Sequence, residues 1–229
     1  MENNKLEKIL GHEFKDANLL KEAVTHRSYL NENPKWGLPH NERLEFLGDA
    51  VLELIITEAL FEKFPKEQEG RLTTLRAALV NFQMLASLSK KINLEKFLLM
   101  SRGEAKDKGR AREVILANAM EAIIGALYQD GGYECAKAMV IEIIFSEVDM
   151  VLKEGLFRDP KSLLQEKTQS ELKLTPLYKL VSETGPDHKK VFIVGVYFGS
   201  EEVARGDGFS KQEAEVSAAE KALEKKGWL

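Results

Sequence analysis

Asn41 to Leu54 reads NERLEFLGDAVLEL. Three acids, Glu42, Glu45 and Asp49, sit inside an apolar, leucine-rich run. A helix advances about 100° per residue, so with Glu42 at zero, Glu45 falls at about −60° and Asp49 at about −20°. Glu53 returns at about +20°, a turn further along. The carboxylates therefore share one stripe. Leu44, Leu47, Val51, Leu54 and Ile55 collect on the opposite side, the expected core face. Like charges on adjacent turns repel, and the only base between Glu42 and Glu53 is Arg43. Two readings fit: a solvated acidic face, or a site for a hard divalent cation, since Mg²⁺ prefers carboxylate oxygens. Phe46, at about +40°, stands beside the acids and away from the core. A large aromatic there points to a partner surface.

The 229 residues suffice for two modest domains. Hydrophobic content of 44% supports a packed core and argues against disorder. No apolar run is long enough for a bilayer, and MENNKLEKIL lacks the layout of a signal peptide. The single cysteine, Cys135, excludes an internal disulfide or a cysteine-cluster zinc site. A cytoplasmic protein with no membrane partner is expected. The net charge of −4 argues against nucleic acid as a partner. From Asp159 onward 11 Lys and Arg face 12 Asp and Glu, so any RNA surface must come from local clustering.

Outward from the acidic stretch, Glu13–Tyr29 reads as one helix ending in THRSY, where His26 is expected to cap or fill space. Asn31–His40, with two prolines and a glycine, reads as a loop. Pro65 ends the organising helix near Phe64. Glu69 sits just before a further helix over Arg71–Lys91. Ser101–Arg112, SRGEAKDKGRAR, reads as a flexible loop. Its Lys106, Lys108, Arg110 and Arg112 suit either a solvated connector or phosphate contacts.

Glu113–Gln129, EVILANAMEAIIGALYQ, is apolar nearly all round and reads as a buried helix. Asn118 and Glu121 share a face. A buried acid is costly unless paired or metal-bound, which makes Glu121 a ligand candidate. Asp49 and Glu121 are expected to meet in the fold, close enough that a cation is needed to keep the acids charged together. Gly131-Gly132 breaks that helix, and Tyr133–Leu152 forms the next. Lys153–Pro160 reads as a linker between a domain over residues 1–152 and one over 161–229.

Beyond the linker the pattern changes. A helix over Lys161–Leu172 is followed by strands at Leu177–Ser182, Val191–Phe198 and Glu202–Gly206. A final helix runs from Ser210 to Lys226, opened by a Ser210/Glu213 capping box.

NERLEFLGDAVLEL resembles the signature of the ribonuclease III family, endonucleases that cut double-stranded RNA, and ANAMEA resembles its second motif. The resemblance implies an all-α N-terminal endonuclease domain. In it, Glu45, Asp49, Asn118 and Glu121 would hold Mg²⁺, with Mn²⁺ as a substitute. Glu42 and Glu69 would be outer catalytic acids, and Phe46 a knob plugged into the partner of a homodimer. It implies products with 5′-phosphate and 3′-hydroxyl ends, in rRNA and mRNA processing and decay. Asn118 departs from the family's aspartate: it offers a carbonyl oxygen but no charge. A catalytically impaired double-stranded-RNA-binding protein is therefore the alternative. The α-β-β-β-α order, with SKQEAE and GPDH, resembles a double-stranded RNA-binding domain, α+β in class. That likeness implies RNA contacts from Gln165, Glu166 and Gln169, from His188 and Lys189, and from Ser210 and Lys211. Gln212 stands where the family more often has lysine.

Overall fold

The structure, a computed structural model, describes residues 3–155, 160–186 and 190–228. The chain divides into two compact units, Met1–Phe157 and Arg158–Leu229. The first is helical: α1 (Asn3–Leu10), α2 (Ala17–Ala23), α3 (Arg27–Glu32), α4 (Glu42–Lys63), α5 (Glu69–Val80), α6 (Phe82–Lys91), α7 (Arg102–Lys106), α8 (Arg110–Ile143) and α9 (Val148–Glu154). Among the described residues no helix is long and apolar enough to cross a membrane.

α4 and α8 form the centre. Leu52, Ile55, Ile56 and Leu60 of α4 are buried in the same core as Met120, Ile123, Ile124 and Leu127 of α8. Leu54 departs from its expected place on the core face and is 57% exposed. The buried arc is centred nearer Gly48 and Leu52, which leaves Leu54 past its edge. At Gly132 the backbone turns to φ 78°, a glycine conformation, and divides α8 at the expected break.

Three helices expected to be continuous are interrupted. Glu13–Tyr29 becomes α2 and α3, because Thr25 pairs with Leu99 as a short parallel bridge. Asp16 caps α2 by accepting from the Asn18 N–H, and the His26 ring caps α3 by accepting from the Ser28 N–H at 3.3 Å. Arg71–Lys91 becomes α5 and α6 at Asn81, which adopts an extended backbone and caps α6 by accepting from the Met84 N–H at 2.9 Å. Tyr133–Leu152 is interrupted by a 3₁₀ turn at Phe145–Glu147. The expected flexible loop over Ser101–Arg112 holds α7, capped by Ser101, and the first turn of α8.

The second unit packs α10 (Pro160–Leu172) and α11 (Lys211–Lys226) on an antiparallel sheet ordered β1 (Pro176–Thr184), β2 (Val191–Phe198), β3 (Glu201–Gly208). Leu164, Val196, Phe198, Val203, Ala218, Ala222 and Leu223 form its core. A Cβ on Gly206 would lie 2.0 Å from the Ala218 nitrogen, so that glycine lets β3 and α11 touch backbone to backbone.

Candidate active site

The site begins where α4 and α8 cross. A Cβ at Gly48 would stand 1.7 Å from the Glu121 carbonyl oxygen, and one at Gly125 2.2 Å from the Leu44 carbonyl oxygen. Only hydrogen fits at either position, and the two backbones lie in direct contact. Glu45 and Asp49 flank Gly48 on α4. Glu121 and Asn118 lie one and two turns before Gly125 on α8. The crossing therefore gathers acids that are more than 70 residues apart in sequence, as the positions of Asp49 and Glu121 show.

Charge follows from that geometry. Burial, and then the charges of Asp49 and Glu45, push the Glu121 carboxyl up to about 7. Burial also raises Glu45, helped by Glu42 and Asp49, while the Asn118 side chain pulls it back by favouring the ionised form. Asp49 and Glu121 are thus within electrostatic reach, as expected. Among the described residues no three His, Cys, Asp or Glu side chains stand close enough together to hold a metal ion. The donor chemistry still suits a hard dication: three carboxylates and one amide carbonyl, all oxygen ligands.

The outer acids are placed differently. Glu42 is exposed at the start of α4, with Arg27 Nη1 3.5 Å and His40 Nδ1 3.8 Å from its carboxylate. Glu69 opens α5, accepts from Thr73 Oγ1 at 3.0 Å, and lines a cavity of about 450 Å³ with Thr57, Phe61, Leu72 and Arg76. Thr57 is two turns of α4, about 12 Å, beyond Asp49. Within one chain Glu69 is therefore not gathered with the others. Phe46 is 82% exposed, and Phe61 at 70% and Leu54 extend an apolar stripe along α4 toward that cavity.

The basic segment divides. The Arg110 guanidinium lies over the Phe82 ring at 5.2 Å, and Arg112 contacts the Met100 sulfur. Lys106 and Lys108 are exposed. In the second unit, Gln165, Glu166 and Gln169 line an open groove on α10 with Ser162, Ser170 and Lys173. Ser210 caps α11 by accepting from the Glu213 N–H at 3.1 Å, which leaves Lys211 exposed on the first turn. His188 and Lys189 lie outside the described residues.

Sequence reasoning missed Gly48, Gly125 and Asn41. Asn41 is 2% exposed and does not cap α4. It donates from Nδ2 to the Ala23 carbonyl at 3.3 Å and from its backbone to the Thr25 carbonyl at 2.9 Å, which pins the start of α4 to the α2–α3 junction. A glycine in the middle of an apolar helix was the available signal for the crossing.

The chain matches the ribonuclease-III-like family over residues 16–148 and the double-stranded RNA binding motif over residues 160–226. It is 48% identical to ribonuclease 3 of Carboxydothermus hydrogenoformans over 219 residues, 96% of this chain and 93% of that protein. Identity to ribonuclease 3 of Campylobacter fetus is 46% over 221 residues, 96% of each. The solved nuclease domain of ribonuclease III from Campylobacter jejuni, described for flexibility in a region involved in dimer formation, is 47% identical. It superposes with a TM-score of 0.56 over 62% of this chain and 95% of that one.

Proposed function

We infer the chemistry from one premise: this chain belongs to the ribonuclease III family. It is an endoribonuclease that cuts double-stranded RNA. The observation that carries the mechanism is the raised Glu121 carboxyl facing Asp49 and Glu45 across the Gly48–Gly125 crossing. A site that makes carboxylates costly to ionise is one that a dication stabilises. Glu45, Asp49, Glu121 and the Asn118 carbonyl oxygen would hold Mg²⁺, or Mn²⁺ in its place. When bound, such an ion supplies charge for the scissile phosphate and acidifies a water.

The chain's own groups prepare that centre. Asn118 favours the ionised form of Glu45. Glu121 would hold the ion in its ionised form, so occupancy of the site would be coupled to loss of the Glu121 proton. The products carry 5′-phosphates and 3′-hydroxyls, and the setting is cytoplasmic rRNA and mRNA processing and decay. On α10 and α11, Gln165, Glu166, Gln169, Ser210 and Lys211, with His188 and Lys189 between them in sequence, hold the duplex. A-form RNA is recognised by shape, through 2′-hydroxyls and phosphates, so a module without net positive charge suffices.

The enzyme acts as a homodimer. Phe46 of each chain fills the other's cavity beside Thr57, Phe61 and Glu69. That docking carries Glu69 next to the partner's acids, since Phe46 adjoins Glu45 in the chain, and so explains how an acid about 12 Å down α4 serves the centre.

The test is incubation of duplex RNA with this chain and Mg²⁺. The wild type cuts; Glu121→Gln binds RNA normally and loses cleavage by at least about two orders of magnitude. Cleavage by Glu121→Gln at the wild-type rate would remove Glu121 from the mechanism. Asn118 motivates the second reading, a protein that binds but does not cut. Intact RNA beside normal binding, with cleavage restored by Asn118→Asp, would establish it.

A further inference from the structure

We propose that Arg27 is a substrate-positioning residue, holding an RNA phosphate beside the nuclease acids, with Glu42 as its counter-ion until RNA arrives. The inference rests on the endonuclease reading above. It gives Glu42 a role other than that of an outer catalytic acid.

The placement of Arg27 is built. The Asn41 side chain and backbone bond to Ala23 and Thr25 and hold the start of α4 against the start of α3. The next segment is tied down as well: the His26 N–H donates to the Leu99 carbonyl, the Leu99 N–H donates to the Val24 carbonyl, and the Ser101 N–H donates to Ser28 Oγ. Arg27 opens α3 inside this knot, yet its side chain is 72% exposed. Glu42, 48% exposed, is one turn of α4 before Glu45, whose carboxyl feels its charge. Arg27 is therefore fixed at its base, exposed at its tip, and paired there with an acid that stands one turn of α4 before Glu45.

Its present partnership is weak. At 3.5 Å the Arg27–Glu42 contact is an ion pair longer than a good charge-assisted hydrogen bond, and it is open to water. Glu42 is flanked on its other side by His40, whose Nδ1 lies 3.4 Å from the Glu42 N–H and accepts from it. A phosphate offers Arg27 a bidentate, doubly charge-assisted contact that this exposed carboxylate does not provide. Exchange of Glu42 for a phosphate therefore favours the RNA complex, and costs the free protein little stability.

The experiment measures equilibrium binding of a duplex of about 30 base pairs, longer than the roughly 16 that one binding module spans. The full chain is used in EDTA, across a range of salt. Arg27→Ala is expected to bind about tenfold more weakly, with the slope of log affinity against log salt reduced by about one. Arg27→Lys recovers most of the affinity and the full slope. Glu42→Gln binds RNA no more weakly than the wild type and still binds Mn²⁺ saturably, with only the small change in affinity that loss of one neighbouring charge brings. Wild-type affinity and slope in Arg27→Ala, at an unchanged melting temperature, overturn the proposal. So does a loss of Mn²⁺ binding in Glu42→Gln, which assigns that acid to the metal. Failure of the endonuclease reading shows separately, as duplex RNA left intact by the wild type in Mg²⁺, and leaves the binding measurement in EDTA valid.

Discussion

Glu121 shows at the level of one side chain what gathering acids costs the metal-free protein. Its carboxyl is pushed up from 4.5 to about 7 by burial and by Asp49 and Glu45. Between those values the folded chain binds more protons than the unfolded one, so the metal-free protein loses stability as pH rises through that window. The full loss, reached above pH 7, is at most roughly 3 kcal/mol. Glu121→Gln keeps the shape and removes the charge. It should therefore melt several degrees higher than the wild type at pH 8 in EDTA, and show no gain at pH 4. Thermal melts at the two pH values check this; equal melting at pH 8 would mean that neither burial nor the neighbouring charges raise the Glu121 carboxyl. The stripe of Glu42, Glu45 and Asp49 was legible because 100° periodicity fixes which residues of one helix share a face. Glu42's engagement with Arg27 and His40 was not, because those partners come from other segments.

At the level of elements, the site depends on how closely α4 and α8 approach. Gly48→Ala puts a methyl group 1.7 Å from the Glu121 carbonyl oxygen, so the two backbones must separate. The expected cost is about 3 kcal/mol or more, with cleavage lost even where the variant still folds. Chemical denaturation together with the duplex assay measures both; a Gly48→Ala protein of wild-type stability would contradict the crossing. Periodicity marks core faces and treats a glycine as a gap, so the helix pair's contact point stayed hidden in the sequence. The breaks at Thr25 and Asn81 were hidden for a related reason. Thr25 and Asn81 are short polar residues that pass for helix surface until their side chains are seen bonding backbone: Thr25 Oγ1 to the Lys21 carbonyl at 2.6 Å, Asn81 to the Met84 N–H. The C-terminal module was read more fully, since the β-branched and aromatic run over Val191–Phe198 and the Ser210 cap are local signals.

For the whole molecule, the apolar stripe of Phe46, Leu54 and Phe61 predicts assembly. Phe46→Ala should shift sedimentation from dimer toward monomer at low concentration. Cleavage should fall with it, because in the proposed docking Glu69 reaches a centre through the partner. An unchanged profile would remove Phe46 from the interface. The central claim is that acids brought together by the Gly48–Gly125 crossing hold a dication for cutting RNA. Calorimetric titration of Mn²⁺ into the wild type, Asp49→Asn and Glu121→Gln tests it most directly. Saturable binding in the wild type that is lost in both variants is the predicted result. Binding of equal affinity in all three, or none in a wild type that still cuts duplex RNA, would contradict it.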